Sequence, residues 1–295
     1  MLKLSPKQSL SPSAEAAFKQ AQADPKGPFP PDCPLPPVKY FDQKQRVDSI
    51  CFKTPPGMIE WYPAPIVGGQ SLGSLMVRDA LYPRLERELL ERLAPDAYAD
   101  YMKLMLADGL ERFGSNWVYA DLVTAVMALA DVIKPRNYLE IGVRRGRSVA
   151  AVASRAPDVD IAMFDMWLSN YAGMDNPGPD FVRAELAKVG HRGKTEFING
   201  NSHDTLPAYF KANPDVGFDM ITVDGDHTNL GAAQDIADVI PHVSIGGALI
   251  FDDVCHPKLL GLGDVWRRMV VENHRFSAWT FTDVGYGVGF AIRKA

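Results

Sequence analysis

The feature that most constrains the fold is an alternation of short apolar segments with helical patterns, which begins after Asn137. Seven segments are typical of strands: YLEIG, DIAMFD, TEFING, FDMITVD, GALIFDD, SAWTFTD and GYGVGFAIRK. Helices are expected between them, from Gly146 and near 179–190, 203–212, 229–240 and 263–273. This order predicts an α/β fold with a doubly wound, mostly parallel seven-stranded sheet. The last two segments lie too close together for a helical crossover, so they should pair antiparallel at the sheet edge.

The chain before this domain is expected to form two further regions. Residues 1–71 should form an irregular arm, because the stretch 24–41 is dense in proline, which blocks helix interiors and favours extended backbone. Such an arm is either poorly ordered, or it wraps a neighbouring subunit or covers the active site. Residues 72–134 have helical apolar spacing and should form a cap. The remaining residues, 135–295, hold the alternating domain.

Two details of the cap are predicted from its sequence. In LMVRDALYPRLERELLERL, apolar residues recur at intervals of three and four, and Pro83 should break or kink the helix. In WVYADLVTAVMALADVI (Trp117–Ile133), the spacing predicts a second helix that ends before Pro135.

Composition and charge exclude several classes of function. Of the 295 residues, 46% are hydrophobic and 23% are charged, which is ordinary for a globular enzyme. The net charge of −5 gives no basic footprint for nucleic acid. No apolar run approaches membrane-spanning length, and the N-terminus lacks the apolar stretch of a signal peptide. Three widely spaced cysteines have neither metal spacing nor a disulfide pattern, so a reducing, cytoplasmic location is expected.

Polar residues follow the expected strands at the end where open α/β sheets bind ligands. After the first strand, Gly142 and Gly146 permit a tight turn, and the following helix N-terminus can hold an anion, although turn geometry alone would explain both glycines. Asp165 ends the second strand, where a carboxylate can accept both ribose hydroxyls or cap a turn. Ser202 and His203 follow the third strand, where an adenine would reach, with a simple helix N-cap as the alternative.

A second group of acids ends the next two strands. Asp224 follows FDMITV, while Asp252 and Asp253 end GGALIFDD. Neighbouring parallel strands bring their tips together, so these carboxylates can converge into an oxygen-only site that suits Mg²⁺. A divalent cation would also relieve their mutual repulsion. Helix capping or solvation is the alternative, and we expect it for Asp226.

Two histidines near these acids are candidates for proton transfer. His227 lies three residues after Asp224, and a neutral imidazole can take a proton from a hydroxyl near neutral pH. His227 and Asp224 are therefore the candidate catalytic residues. His256, just after the aspartate pair, is the competing base, and a structural role is the alternative for either histidine.

Taken in order, the segments LEIGVRRGRS, FDMW, GNSHDTLP, VDGDH and GGALIFDD resemble those of the class I S-adenosylmethionine-dependent methyltransferases. Within that class they are similar to the O-methyltransferases related to macrocin O-methyltransferase and to cephalosporin hydroxylase-like proteins. The resemblance covers roughly 115–295. It implies a Rossmann-like methyltransferase fold, S-adenosylmethionine as cofactor, and a metal site similar to that of catechol O-methyltransferase.

The resemblance also implies roles for individual residues. Those at the ends of the first three strands would contact or support the cofactor: Glu140, Gly142, Gly146, Ser148, Asp165, Ser202 and His203. Mg²⁺ at Asp224, Asp252 and Asp253 would lower the pKa of an acceptor hydroxyl. His227 would remove its proton, and alignment of the two substrates would supply much of the catalysis.

Other interpretations of the sequence are a nicotinamide-dependent oxidoreductase, a non-catalytic methyltransferase-like binding module and a metal-independent methyltransferase. The missing G-x-G-x-x-G speaks against the first. Intact motif positions speak against the second, although fold does not prove activity. The acceptor is left open between a sugar hydroxyl of a natural product, a phenol and a catechol. Its pocket should be built from 60–120, 166–180 and 254–263. A homo-oligomer without nucleic-acid or membrane partners is expected.

Overall fold

A computed structural model describes residues 10–41, 51–53, 59–61 and 66–295. The other positions of the predicted arm lie outside the described residues. A small antiparallel pair, β1 (Cys51–Lys53) and β2 (Ile59–Trp61), precedes the main domain. The main sheet consists of β3 (Asn137–Ile141), β4 (Asp160–Asp165), β5 (Thr195–Asn199), β6 (Phe218–Val223), β7 (Val243–Asp252), β8 (Phe276–Phe281) and β9 (Val288–Arg293).

The sheet confirms the predicted topology. Its strand order is β5-β4-β3-β6-β7-β9-β8. Strands β3 to β7 pair in parallel, whereas β9 runs antiparallel to both of its neighbours. Strand β7 begins earlier than its sequence segment predicted, at Val243, and its pairing with β6 shifts register between Phe218 and Met220.

Helices cover both faces of the sheet, close to their predicted positions. They are α6 (Arg147–Arg155), α7 (Pro179–Lys188), α8 (Ser202–Ala212), α9 (Asn229–Val239) and α10 (Leu262–Trp266). The last continues as a π-helical turn over Arg267–Val271. Short 3₁₀ turns occupy Tyr171–Gly173 and Ile240–His242. Two apolar clusters fill the space between the sheet and its helical layers.

The cap region consists of α2 (Gly69–Met76), α3 (Leu81–Arg92), α4 (Ala97–Phe113) and α5 (Leu122–Ile133), with 3₁₀ turns at Arg78–Ala80 and Gly114–Asn116. The predicted break near Pro83 occurs between α2 and α3, at Asp79 and Ala80, whose φ angles are positive. Pro83 itself lies in the first turn of α3, where its missing N–H is tolerated.

The predicted helix start at Trp117 was wrong by five residues. Asp121 caps α5 instead, because its side chain accepts a hydrogen bond from the Thr124 backbone while the Thr124 hydroxyl accepts one from the Asp121 backbone. The residues before this capping box are not helical, and Trp117 stacks on Tyr119 with ring centroids 4.9 Å apart.

The expectation of an entirely irregular arm was also wrong, since α1 spans Pro12–Ala23. Ser11 caps it, proline occupies its first position, and Ala17 and Ala21 are buried one turn apart. The proline-rich stretch that follows packs onto the main domain through buried Phe29 and Cys33. The described arm therefore lies against its own domain. None of the described helices has the length and hydropathy needed to cross a bilayer.

Candidate active site

Four adjacent strands end at one edge of the sheet. Because β4, β3, β6 and β7 pair in parallel, their carboxyl ends lie side by side. The residues at these ends are Asp165, Gly142, Asp224 and Asp252. The polar residues singled out in the sequence therefore share one edge, where open α/β sheets bind their ligands.

Two cavities open at this edge. The first has a volume of about 340 Å³ and extends from Asp165 past Ser202 to His227. The second has a volume of about 430 Å³ and lies between the strand ends and the cap. Gly142, Arg144 and Asp224 line both cavities, so these residues form the wall where the two spaces meet.

The two glycines of the first turn meet different requirements. Gly142 has a φ of +88°, and a Cβ there would lie 1.9 Å from the carbonyl oxygen of Asp224. Only glycine allows this close approach of β3 to the loop after β6. Gly146 has a φ of +72° and a Cβ there would lie 2.9 Å from Val182, so it serves the turn and helix packing. Gly142 lines both cavities, whereas Gly146 lines neither.

Glu140 lies behind this turn and is completely buried. Its carboxyl accepts a hydrogen bond of 2.6 Å from the Ser148 hydroxyl and another from the Tyr138 hydroxyl. Burial raises the pKa of Glu140 to about 8, against the opposing effect of these two hydrogen bonds. Ser148 lines the second cavity, but Glu140 does not line either cavity. Glu140 thus supports the turn through Ser148.

Asp165 is fixed by backbone groups on both sides. Its Oδ2 accepts a 2.8 Å hydrogen bond from the Arg144 amide, and its Oδ1 accepts one of 2.5 Å from the Trp167 amide. The Asn176 amide approaches Oδ1 at 3.4 Å. The carboxylate is thus held at the cavity wall in one orientation, with lone pairs left for a ligand. Ribose binding by Asp165 stays a prediction.

The third strand end differs from the prediction in part. Asn201 caps α8, accepting a 3.0 Å hydrogen bond from the His203 amide. Ser202 lines the first cavity, but His203 is absent from its wall. The His203 ring points toward Asp226, 3.0 Å from its Oδ2, and a hydrogen bond to Asp226 is the main cause that raises the pKa of His203. His203 is therefore a partner of Asp226, and a direct adenine contact by its ring is not visible in this arrangement.

Asp226 has the structural role expected of it. Its Oδ1 accepts a 2.8 Å hydrogen bond from the Thr228 amide, just before α9 begins. Burial works against its ionisation, but the hydrogen bonds from His203 and Thr228 outweigh that effect and lower its pKa. The residue stabilises the loop between β6 and α9.

The other three aspartates influence one another strongly. Burial, followed by the charges of Asp224 and Asp253, raises the pKa of Asp252 well above its ordinary range. Burial and the charge of Asp224 raise the pKa of Asp253 to about 6, opposed by His227. Three carboxylates that repel one another at one place have the donor chemistry of a hard divalent cation. As the side chains are oriented, however, the described residues contain no group of three His, Cys, Asp or Glu that could hold a metal ion.

His227 lies between two of these acids. Its Nε2 is 3.0 Å from Asp224 Oδ1 and its Nδ1 is 3.7 Å from Asp253 Oδ2. Burial opposes protonation, but the hydrogen bond to Asp224 and the charges of Asp224 and Asp253 outweigh it and raise the pKa of His227. His256 lies 4.0 Å from Tyr286, between ring centroids, and burial is the main cause that lowers its pKa. Of the two histidines, only His227 lines either of the two cavities described above.

The comparisons with known proteins agree with this architecture. A family model described as "Methyltransferase domain" matches residues 139–254. That segment holds all four strand ends of the candidate site, and the sheet order is the one implied by the sequence resemblance. The segment 139–254 thus matches a methyltransferase domain. No curated protein sequence matches the chain significantly.

Several solved structures are similar to this chain. A putative O-methyltransferase from Klebsiella pneumoniae is 18% identical, covers 74% of this chain and 99% of its own, and gives a TM-score of 0.48. TomG from Streptomyces achromogenes, an O-methyltransferase in complex with S-adenosylmethionine, is 20% identical over 76% of this chain and 94% of its own, with a TM-score of 0.47. The PaMTH1 methyltransferase of Podospora anserina, bound to S-adenosylhomocysteine, is 18% identical over 73% and 88%, with a TM-score of 0.46. The roles of site residues rest on this chain's own geometry.

Three buried polar atoms of residues on the cavity walls lack a hydrogen-bond partner among the described residues: Oε2 of Glu86, Nη2 of Arg144 and Oδ1 of Asn176. Arg144 Nη2 is a donor at the junction of the cavities, and Asn176 Oδ1 is an acceptor on the first cavity. Buried polar groups are normally satisfied, so both atoms fit a polar ligand. The carboxylate and ammonium of a methionine group offer the complementary chemistry. Sequence reasoning missed Arg144, although the RRGR stretch after Gly142 was a visible signal.

The cap completes the second cavity. Its walls include aromatic and thioether side chains that motif reasoning did not single out: Tyr98, Tyr101, Met102, Met105, Tyr119, Met174 and Tyr286. Asp96 at the start of α4 binds both Arg145, at 2.7 Å, and Arg147 of the glycine turn. The same carboxylate caps α4 through the Ala99 amide. The cap is thereby tied to the turn that precedes α6.

Proposed function

We propose that this methyltransferase transfers the methyl group of S-adenosylmethionine to a hydroxyl oxygen of a small molecule. The observation that carries the proposal is the position of Asp224 and His227 where the two cavities approach each other. The first cavity has the carboxylate of Asp165, which suits a ribose, and the second has aromatic and thioether walls beside charged side chains, which suit an acceptor. A base between these two spaces fits proton removal from an acceptor hydroxyl.

His227 would act as the general base. Asp224 holds Nε2, so Nδ1 is the nitrogen that can receive a proton once Asp253 is turned away or neutralised. Asp224 orients the ring and favours the imidazolium that forms. The glycine turn and Asp165 would fix the methyl donor in line with the attacking oxygen, so that orientation supplies much of the rate enhancement.

A divalent cation, most simply Mg²⁺, is part of the proposal. Asp252 and Asp253 would hold it after rotation of their side chains, together with Asp224, whose Oδ1 would stay on His227 Nε2. Their oxygen-only chemistry and mutual repulsion fit such an ion. When bound, the cation would lower the pKa of the acceptor hydroxyl. His227 lies at the same place, and Asp252 and Asp253 would no longer repel the oxyanion once their charge is balanced.

The walls of the second cavity favour one acceptor class. Tyrosine and methionine side chains contribute large, polarisable contact surface, and aromatic rings pack well on such walls. We therefore favour a phenolic or catecholic hydroxyl over a sugar hydroxyl. Natural-product biosynthesis is a setting in which either acceptor would occur.

The experiment measures S-adenosylhomocysteine formation with a panel of phenols, catechols and sugars, with Mg²⁺ and with excess chelator. Asp252→Asn keeps the shape of the side chain but removes its charge. It should weaken Mg²⁺ binding and turnover while S-adenosylhomocysteine affinity stays nearly unchanged. The exposed Asp215→Asn is the matched control and should behave as wild type. Full activity in chelator would reject the cation.

A second variant separates the base from the cation. His227→Ala should retain Mg²⁺ binding and lose rate, with partial recovery at higher pH as hydroxide replaces the base. In the wild type, the rate should rise with pH through the pKa of His227, because only the neutral imidazole accepts a proton. Undiminished activity in His227→Ala would transfer the base role to His256 or to solvent.

A further inference from the structure

The turn that ends α1 reaches the candidate active site. Lys26 lines the first cavity beside Asp226, His227 and Thr228. This lysine comes from the arm, about 200 positions away in sequence from the residues it joins. Nothing in the proposed methyl transfer uses it.

The backbone on both sides of Lys26 is fixed to the domain. The carbonyl of Pro25 accepts a 2.8 Å hydrogen bond from the Asn229 amide, and the carbonyl of Gly27 accepts one of 2.8 Å from Asn229 Nδ2. The carbonyl of Lys26 itself accepts a 2.9 Å hydrogen bond from the Leu260 amide. Three consecutive carbonyls thus accept hydrogen bonds from residues next to the candidate catalytic histidines.

The receiving side is built to hold this turn. Asn229 is completely buried and is the first residue of α9, two positions after His227. Gly261, next to Leu260, leaves room for it, because a Cβ there would lie 2.3 Å from Asn229 Oδ1. Such a set of contacts positions the Lys26 side chain at the cavity rather than leaving it on a loose arm.

The ammonium group of Lys26 is available for a ligand. The side chain is exposed at the cavity mouth, and within the described parts of the chain it makes no salt bridge or hydrogen bond. Its charge acts to lower the pKa of both His227 and His256, so it lies near the candidate base. Arg144 and Asn176, whose unpaired atoms fit the methionine carboxylate and ammonium, line the same cavity.

We infer that Lys26 binds an anionic group of the acceptor, a carboxylate or a phosphate, next to His227. The inference rests on the proposed methyl transfer and narrows its acceptor to a hydroxyl compound that carries negative charge. A fixed lysine at this point would orient the acceptor by a charge-assisted hydrogen bond. The methionine carboxylate of the cofactor is the other possible source of the anion, and the experiment separates the two.

The experiment compares the wild type with Lys26→Gln and with Lys39→Gln, which removes the same charge from an exposed lysine farther along the arm. Inorganic phosphate and acetate are titrated into each protein saturated with S-adenosylhomocysteine, and binding is followed by NMR. The affinity of S-adenosylhomocysteine and of methylthioadenosine, which lacks the carboxylate, is measured by calorimetry.

The inference predicts that Lys26→Gln weakens binding of the better anion by about tenfold or more. Lys39→Gln should match the wild type, and both cofactor analogues should bind all three proteins equally. If Lys26→Gln instead weakens S-adenosylhomocysteine but not methylthioadenosine, the lysine serves the cofactor and the acceptor assignment is wrong. Equal anion binding by all three proteins, or none by the wild type, also overturns it. Failure of the wild type to bind S-adenosylhomocysteine would reject the proposed function, and the same titration without cofactor would still decide the role of Lys26.

Discussion

Replacing Glu140 with glutamine should make stability less dependent on pH. Glu140 is completely buried and its pKa is raised from an ordinary 4.5 to about 8. Because the folded-state pKa lies above the unfolded one, the contribution of protonated Glu140 to the unfolding free energy is fully present below about pH 4.5. That contribution is lost as the pH rises through about 8. Glutamine resembles the neutral carboxyl and does not titrate.

The hydrogen bonds of the site allow this substitution. The glutamine carbonyl can accept from Ser148, as Glu140 does at 2.6 Å. Its amide can donate to the Tyr138 oxygen, since the Tyr138 hydroxyl lies 2.8 Å from Thr222 Oγ1 and can donate there instead. No buried polar group should therefore be left without a partner.

The size of the effect follows from the pKa shift. At about 1.4 kcal/mol per pKa unit, ionising Glu140 inside the fold opposes folding by up to about 5 kcal/mol. Between about pH 5 and pH 7, the wild type should lose roughly 2–3 kcal/mol of unfolding free energy relative to Glu140→Gln. Groups that have the same pKa values in both proteins contribute equally to the two unfolding free energies and cancel in this difference.

Urea denaturation at about pH 5, 6 and 7 measures the difference. The exposed Glu111→Gln is the control and should give a curve parallel to the wild type. If the difference in unfolding free energy between the wild type and Glu140→Gln is constant over this range, Glu140 is not a neutral buried acid and the reasoning fails.

Three further perturbations test other parts of the molecule. Asp165→Ala should weaken S-adenosylhomocysteine binding by about tenfold or more, as measured by calorimetry, and equal affinity would remove Asp165 from the site. Gly142→Ala should lower the thermal midpoint and cofactor affinity together, because the added Cβ would lie 1.9 Å from the Asp224 carbonyl oxygen; an unchanged midpoint would contradict the close approach. Deleting residues 1–41 should reduce the unfolding free energy by several kcal/mol, because buried Phe29 and Cys33 leave the core; a truncated protein as stable as the full chain would show that the arm is only a tail.

The fold of the main domain could be predicted from its sequence because its strands are buried and uninterrupted. The segment DIAMFD has four consecutive buried residues, and FDMITV is buried throughout. Such short apolar runs between polar loops leave little choice of structure. The arm was harder to predict, since α1 is held by burial of Ala17 and Ala21 against a helix more than 200 positions later. Local spacing carries no signal for such a contact.

The residues at the strand ends of the candidate site could also be predicted from the sequence. Asp165, Gly142, Asp224 and Asp252 follow from strand ends, which parallel pairing brings to one edge. The orientation of side chains was not predictable: the His203 ring turns toward Asp226, and Asn201 rather than Ser202 caps α8. The position of Lys26 in the site could not be predicted, because only the fold brings the arm to the loop after β6.

Under the proposed function, cofactor and acceptor recognition come from different parts of the sequence. The matched segment 139–254 contains the strand ends of the candidate site, the glycine turn and the three aspartates, and these are the parts that the proposal assigns to the methyl donor and the chemistry. The walls of the second cavity come largely from outside that segment, from Tyr98 and Tyr119 of the cap region and from Tyr286 of the β8–β9 loop. Asp96 couples these two parts through its contacts with the glycine turn. Changes in acceptor preference can therefore arise in the cap and the arm while the strand ends stay as they are, since those regions reach the site without forming part of the sheet.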